Sequence, residues 1–229
     1  MKTILDVDGL SFAYGRKQVL ANIRFSVSEG ESVGLLGANG AGKSTLLWCL
    51  LGLLRGEGPV RVFGERPGAH AARRVGVVFQ NPEDQLFMPT LAADLALPQL
   101  NRGIAPEQAH AGAVEALRSA GLAACAGEPA MHLSLGQRKR AAIALALIQR
   151  PELLILDEPT SELDGGSVRH LVELLRQLPM SKLITSHQLE FLAKVTSRIV
   201  VLHEGRIVAE GPAEAIVSNQ ELLLRCGLI

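Results

Sequence analysis

The sequence predicts an α/β fold, with a mainly parallel sheet flanked by helices, an antiparallel β subdomain and an inserted α-helical subdomain. Short apolar runs alternate with helix-length segments in the second half of the chain, the pattern of a parallel sheet covered by helices. Residues Ile4 to Val27 read instead as antiparallel β, because Ile23, Phe25 and Val27 alternate with Arg24, Ser26 and Ser28. From about Pro89 to Ala130 the chain is Ala-rich with a helical pattern. The 229 residues suffice for one such domain with a full core. The expected layout is a single domain over residues 1–229, with an α/β core at 1–85 and 150–229 and the helical subdomain at 86–149.

Each element has its own signal. Val33 to Leu36 is a short buried strand, followed by a glycine loop and a helix from about Lys43 to Leu51. Val60 to Phe63 and Val75 to Phe79 are further strands. In the helical region Pro98 and Pro106 are expected to be breaks. Ser134 is placed to cap a long helix ending before Pro151. Strands and helices then alternate over Leu153–Leu156, Val168–Gln177, Lys182–Thr185 and Leu189–Lys194. Strands Arg198–Leu202 and Arg206–Ala209 flank the turn His203-Glu204-Gly205.

Composition narrows the class. Hydrophobic residues make up 48%, and mean hydropathy is +0.23. The longest apolar run, Ala141 to Ile148, stops at Gln149-Arg150, short of the ~18 residues a spanning helix needs. Buried strands and a surface meeting an apolar partner account for the excess. Lys plus Arg equals Asp plus Glu at 23 each, which gives no electrostatic footprint for nucleic acid. Met1-Lys2-Thr3 runs straight into a strand pattern, so no signal peptide is expected. Cys49, Cys125 and Cys226 are widely separated, fit a reducing compartment, and read as small buried hydrophobes without metal spacing.

Gly37-Ala38-Asn39-Gly40-Ala41-Gly42-Lys43-Ser44 fits G-x-x-x-x-G-K-[ST] in full, between a buried strand and a helix. The glycines let backbone N–H groups turn toward phosphates, and the helix start adds its positive dipole end. Lys43 is expected to reach the β- and γ-phosphates of ATP. Ser44 is expected to ligate Mg²⁺, which takes few protein ligands beside phosphate oxygens; Thr45 completes the cofactor-binding run. Asp157 ends a strand of four apolar residues, where a carboxylate can hold the water shell of Mg²⁺. Glu158 follows at the strand's C-terminal edge, where α/β sheets bind ligands, and is expected to take a proton from the attacking water or to orient it. The core is therefore that of a P-loop NTPase. No Asn-Lys-x-Asp segment supports guanine specificity.

Leu133-Ser134-Leu135-Gly136-Gln137, between this loop and the acidic strand, extends the pattern. With it the chain resembles, over nearly its whole length, the ATP-binding subunit of ABC transporters. The resemblance implies that Tyr14, the only tyrosine, stacks on adenine. It implies that Gln80 senses Mg²⁺ and the membrane partner, and that Ser161-Glu162-Leu163-Asp164 links two sites. It makes His187 a contact to the γ-phosphate. Ser134, Gly136 and Gln137 would face ATP held by a second ATPase subunit, so that two nucleotides are buried between two head-to-tail chains. Three residues depart from the family pattern: Leu135 stands for Gly, Glu162 for Ala, and Gln188 for Asp. Leu135 must point away from the γ-phosphate or reshape the backbone there, and Glu162 puts a carboxylate near the dimer seam.

Val78-Phe79-Gln80-Asn81-Pro82-Glu83-Asp84-Gln85-Leu86-Phe87, with Pro89-Thr90 and Asp94, is similar to the ATPases of energy-coupling-factor importers for cobalt, nickel, biotin and other vitamins. Ser134 to Ala144, with Arg138-Lys139-Arg140, fits the same group. The resemblance implies a homodimer working with a transmembrane coupling subunit and a substrate-binding membrane subunit, peripheral to the cytoplasmic face. Leu86, Phe87 and Met88 would form an apolar docking patch. The end soon after Gln220–Arg225 leans toward metal or biotin systems. The alternatives are an amino-acid, export or cell-division ABC system, or a soluble ABC ATPase of DNA repair or translation. The soluble reading lacks its coiled coil, since only about 90 residues without heptads separate phosphate loop and pentad.

Overall fold

The computed structural model describes residues 2–229. Two long strands, β1 (Thr3–Tyr14) and β2 (Lys17–Ser28), pair antiparallel. The chain then enters the main sheet as β3 (Ser32–Leu36), and α1 (Lys43–Leu50) follows. Strand β4 (Val60–Val62) returns to pair with β1, which gives a three-stranded sheet in the order β2-β1-β4. A one-turn α2 (Ala69–Ala72) leads to β5 (Val75–Val78).

The helical lobe holds α3 (Leu91–Leu100), α4 (Pro106–Ser119) and α5 (Leu135–Leu147). The chain re-enters the sheet with β6 (Leu153–Asp157), α6 (Gly165–Gln177), β7 (Ser181–Ser186), α7 (Leu189–Val195), β8 (Arg198–His203) and β9 (Arg206–Pro212). It closes with α8 (Ala213–Ser218) and α9 (Gln220–Arg225). The main sheet runs β5-β6-β7-β3-β8-β9, parallel throughout except for the β8–β9 hairpin.

Three apolar clusters hold these parts. One joins the antiparallel sheet to α1 and one face of the main sheet. The second lies on the opposite face, under α6, α7 and the C-terminal helices. The third fills the helical lobe around Leu91, Leu95, Ala109, Ala113 and Leu117. Helix α5 belongs to two of them: Ala141 and Ala144 face the lobe, while Ala142, Ile143 and Ala146 pack on the main sheet. It is the element through which the lobe is seated on the core. Arg198 ties the antiparallel sheet to the main one, donating to the Ser26 carbonyl at 2.6 Å and to Glu31 at 2.6 Å.

Pro98 does not break the chain; it sits inside α3. It lies in the helix's last turn, and the apolar positions Leu91, Ala92 and Leu95 hold the turns before it. Pro106 opens α4, where its missing N–H costs nothing. Cys49 and Cys226 are buried and Cys125 is half-buried. Burial pushes the Cys49 thiol up to about 11, which leaves it unreactive.

Candidate active site

Strand β3 delivers the chain to the C-terminal edge of the parallel strands, and residues 37–42 wrap there before α1 begins. Gly42, at φ 105°, is the residue before the helix, and no side chain caps α1. Its first N–H groups therefore face the loop interior, where an anion can take them. A Cβ on Gly37 would lie 2.6 Å from the Leu202 carbonyl of β8, so this position has no room for a side chain. Lys43 is buried. Its Nζ donates to the carbonyls of Gly37 at 2.7 Å and Ala38 at 3.2 Å, and lies 2.9 Å from Glu158 Oε1.

Glu158 lies at the centre of the acidic side. Its Oε2 is 2.9 Å from His187 Nδ1, so one carboxylate oxygen faces Lys43 and the other His187. Its backbone is at φ 43°, a left-handed conformation costly for this residue type, as is common where a site fixes a side chain. Thr185 supports it. Parallel register puts Thr185 opposite Asp157; its hydroxyl donates to Asp157 Oδ1 at 2.6 Å and accepts from the Glu158 N–H at 3.0 Å. Nothing in the sequence singled out Thr185 beyond a hydroxyl at the end of an apolar strand. Thr185→Val keeps the shape and removes both bonds. It should cost about 1–3 kcal/mol of stability and lower turnover more than nucleotide affinity, as read by thermal melting and steady-state kinetics.

Two adjoining clefts meet at this cluster. One, of about 550 Å³, is lined by Ser44, Gln80 and Asp157, together with Trp48, Leu135 and Glu162. Ser44, Gln80 and Asp157 offer hard oxygen donors there, a set that suits Mg²⁺ with retained waters. The other, of about 510 Å³, runs from Glu158 past Asn39, Gly40 and Thr45 to Tyr14, with Lys17 and Gln18 on its wall. Tyr14 is half-exposed there and meets the edge of Phe12 at 4.8 Å between ring centres. Ala41 is buried behind the loop, its N–H on the Ala38 carbonyl at 3.2 Å.

Ser134, Gly136 and Gln137 are not brought to Lys43. They line a separate groove of about 610 Å³ between α4, α5 and α6. Ser134 caps α5: its Oγ accepts from the Gln137 N–H at 3.3 Å, and Gln137 Oε1 accepts from the Ser134 N–H at 2.9 Å. The Gln137 side chain is thus engaged within its own helix start. Leu135 is on the opposite side, in the cleft with Ser44 and Gln80. It points away from the face shown by Ser134 and Gly136, and the helix start is regular despite it.

The family model described as ABC transporter matches residues 20–161, from β2 through the phosphate loop and the pentad to the Glu158 turn. The chain belongs to the ABC transporter ATP-binding family. It is an ATPase and an ATP-binding subunit of a transporter. A protein of Streptomyces coelicolor named as an ABC transporter ATP-binding protein is 44% identical over 225 residues, covering 96% of this chain and 86% of the relative. The energy-coupling factor transporter ATP-binding protein EcfA of Methanosphaera stadtmanae is 37% identical, covering 97% of this chain and 84% of its own. Among solved structures, CbiO1 of Clostridium perfringens, described as part of the ABC transporter complex CbiONQ, superposes with a TM-score of 0.83 at 29% identity. That match covers 100% of this chain and 96% of CbiO1. The cassette MJ0796, solved as a dimer in a post-hydrolysis state with ADP and Pi, gives 0.81 at 25% identity over 91% and 98%.

For this ABC ATPase the surface after Gln80 differs in part from expectation. Leu86 is 5% exposed and belongs to the core of the helical lobe, because it packs with Leu91 and Leu95 beneath the loop. Phe87 is 68% exposed and Met88 is half-buried. The loop is held from both ends. Gln85 bridges the Phe79 N–H at 2.9 Å and the Val77 carbonyl at 2.8 Å. Asp94 Oδ1 accepts from the N–H groups of Phe87 and Met88 at 3.0 Å each. Among the described residues no helix is long and apolar enough to cross a membrane.

Proposed function

We propose that this chain is the ATPase of an energy-coupling-factor type importer. It would dock on the cytoplasmic face of the membrane as a homodimer, with a transmembrane coupling subunit and a substrate-binding membrane subunit, and drive uptake of cobalt, nickel or a vitamin such as biotin. The observation that carries this reading is the braced segment Gln80–Met88, which presents Phe87 outward on a fixed loop beside the Gln80 cleft. Likeness to EcfA and to CbiO1 over nearly the full chain supports it.

The proposed mechanism follows from the side chains. ATP phosphates lie along residues 37–45, with adenine against Tyr14. They compete for Lys43, whose partners here are two loop carbonyls and Glu158. Moving Lys43 to phosphate leaves Glu158 free to accept a proton from water as that water's oxygen bonds to the γ-phosphorus and the bond to ADP breaks. His187, on the other Glu158 oxygen, would contact the same phosphate. Ser44, Gln80 and Asp157 would hold Mg²⁺, which would supply charge neutralisation to the phosphates. Ser134 and the start of α5 complete the site of the partner chain, so ATP stabilises the closed dimer and hydrolysis releases it.

The test is affinity purification of the tagged chain from detergent-solubilised membranes of its source cells, with identification of the membrane proteins bound to it. Co-purification with a cobalt/nickel- or vitamin-type coupling protein is the expected result; stable capture of an exporter or amino-acid permease instead would overturn the reading. Phe87→Glu should cut recovery of the complex about tenfold, the ~1.4 kcal/mol lost with one apolar contact. ATP binding by the free chain should stay unchanged.

A further inference from the structure

We propose that Lys139 is a positioning residue that fixes the Glu158–Ser161 turn to α5, so that the proton acceptor and the loop at the seam move with the pentad helix as one unit. The inference rests on reading Glu158 as the proton acceptor. Lys139 is 4% exposed, on the second turn of α5. Its Nζ lies 2.8 Å from the Ser161 carbonyl and 2.8 Å from Ser161 Oγ, with the carbonyls of Pro159 at 3.3 Å and Glu158 at 3.4 Å. Four acceptors from one tight turn thus converge on a single ammonium.

A compact ammonium on a flexible stem suits this convergence, whereas the planar fork of Arg would reach only some of the acceptors. Burying the ammonium costs desolvation, which its hydrogen bonds to the four acceptors offset, so its net contribution to stability is small. What the lysine does supply is fixation. Glu158 is held at φ 43°, which persists only when its surroundings over-determine it. Thr185 holds its N–H and Lys139 its carbonyl, so both peptide groups of Glu158 are anchored. Burial holds the Lys139 ammonium below its ordinary range, and the carboxylates of Glu162 and Glu158 oppose that shift. Glu162, the departure from the family pattern, therefore works on the same ammonium. The neighbouring Arg138 reaches the other way, to Glu83 in the segment after Gln80 at 2.7 Å. Two successive residues of α5 thereby join the docking segment to the reacting turn.

Lys139→Met in the full chain is the test, with Glu158→Gln measured beside it. The expected result is a kcat lower by about 10- to 100-fold, the scale of a displacement near 1 Å at a reacting group. KM and the affinity for a fluorescent ATP analogue should stay within about twofold, and Lys139→Arg should recover part of kcat. Loss of nucleotide affinity together with turnover would mean general damage to the site and would overturn the proposal, as would unchanged kcat in a folded Lys139→Met. Should Lys139→Met not fold, Ser161→Ala, which removes one of the four acceptors, must lower kcat with KM unchanged; a normal kcat there overturns it. If Glu158→Gln stalls while Lys139→Met turns over normally, only the Lys139 proposal fails. If Glu158→Gln turns over normally, the Glu158 reading fails and takes this one with it.

Discussion

Glu158→Gln is expected to lower kcat by about 10²- to 10⁴-fold, the range a positioned general base supplies. ATP binding should be kept. The amide has the same shape, so the φ 43° turn and its anchors at Thr185 and Lys139 persist. The lost charge is the partner of Lys43, so phosphate no longer competes with a carboxylate for that ammonium. Binding without hydrolysis should accumulate the closed pair. Light scattering should then show a doubled mass with ATP and a single chain without it. Steady-state turnover like that of the parent chain would remove Glu158 from the role of proton acceptor. Stalled turnover without dimerisation would instead count against the proposed completion of the partner's site by Ser134.

The parts of the molecule legible in sequence are those whose signal is local. The phosphate loop stands between β3 and α1 because glycine placement, a buried strand and a helix start all coincide in one stretch. The capping pattern at Ser134 and Gln137 is likewise a four-residue feature. Pro98 looks like a break in sequence, yet a proline near a helix end costs little when the preceding turns are packed, and packing is not local. Thr185 was invisible for a related reason. Its role depends on parallel register with Asp157, set by two strands separated by α6. Lys139 reads as one of three basic residues on a helix, and only the fold shows it buried against the Ser161 turn. The segment Leu86–Met88 falls between the two cases: its apolar run is plain, but the division into buried Leu86 and exposed Phe87 is decided by the lobe.

Lys43→Ala should have two separable effects. The first is on ligand. Removing a charge-assisted contact to phosphate costs about 1.5–3 kcal/mol, so ATP affinity should fall about 10- to 100-fold. The second is on the fold itself. Lys43 and Glu158 are both almost wholly buried and 2.9 Å apart. Removing one partner of such a pair costs about 3–5 kcal/mol, because the other charge loses its buried counter-ion and keeps only the exposed His187 beside it. At about 2–4 °C per kcal/mol for a chain of this size, Tm should drop by about 6–20 °C. The double variant Lys43→Ala, Glu158→Gln removes the orphaned charge as well. It should regain most of the lost Tm, yet it should still bind ATP as poorly as Lys43→Ala alone. The double-mutant cycle therefore separates the pair's contribution to stability from the lysine's contribution to phosphate binding. A Tm that falls equally in the single and double variants would show that Lys43 stabilises the loop through the Gly37 and Ala38 carbonyls rather than through Glu158. In that case phosphate would not have to displace Glu158 to reach the lysine, and nucleotide entry would not by itself free the proton acceptor.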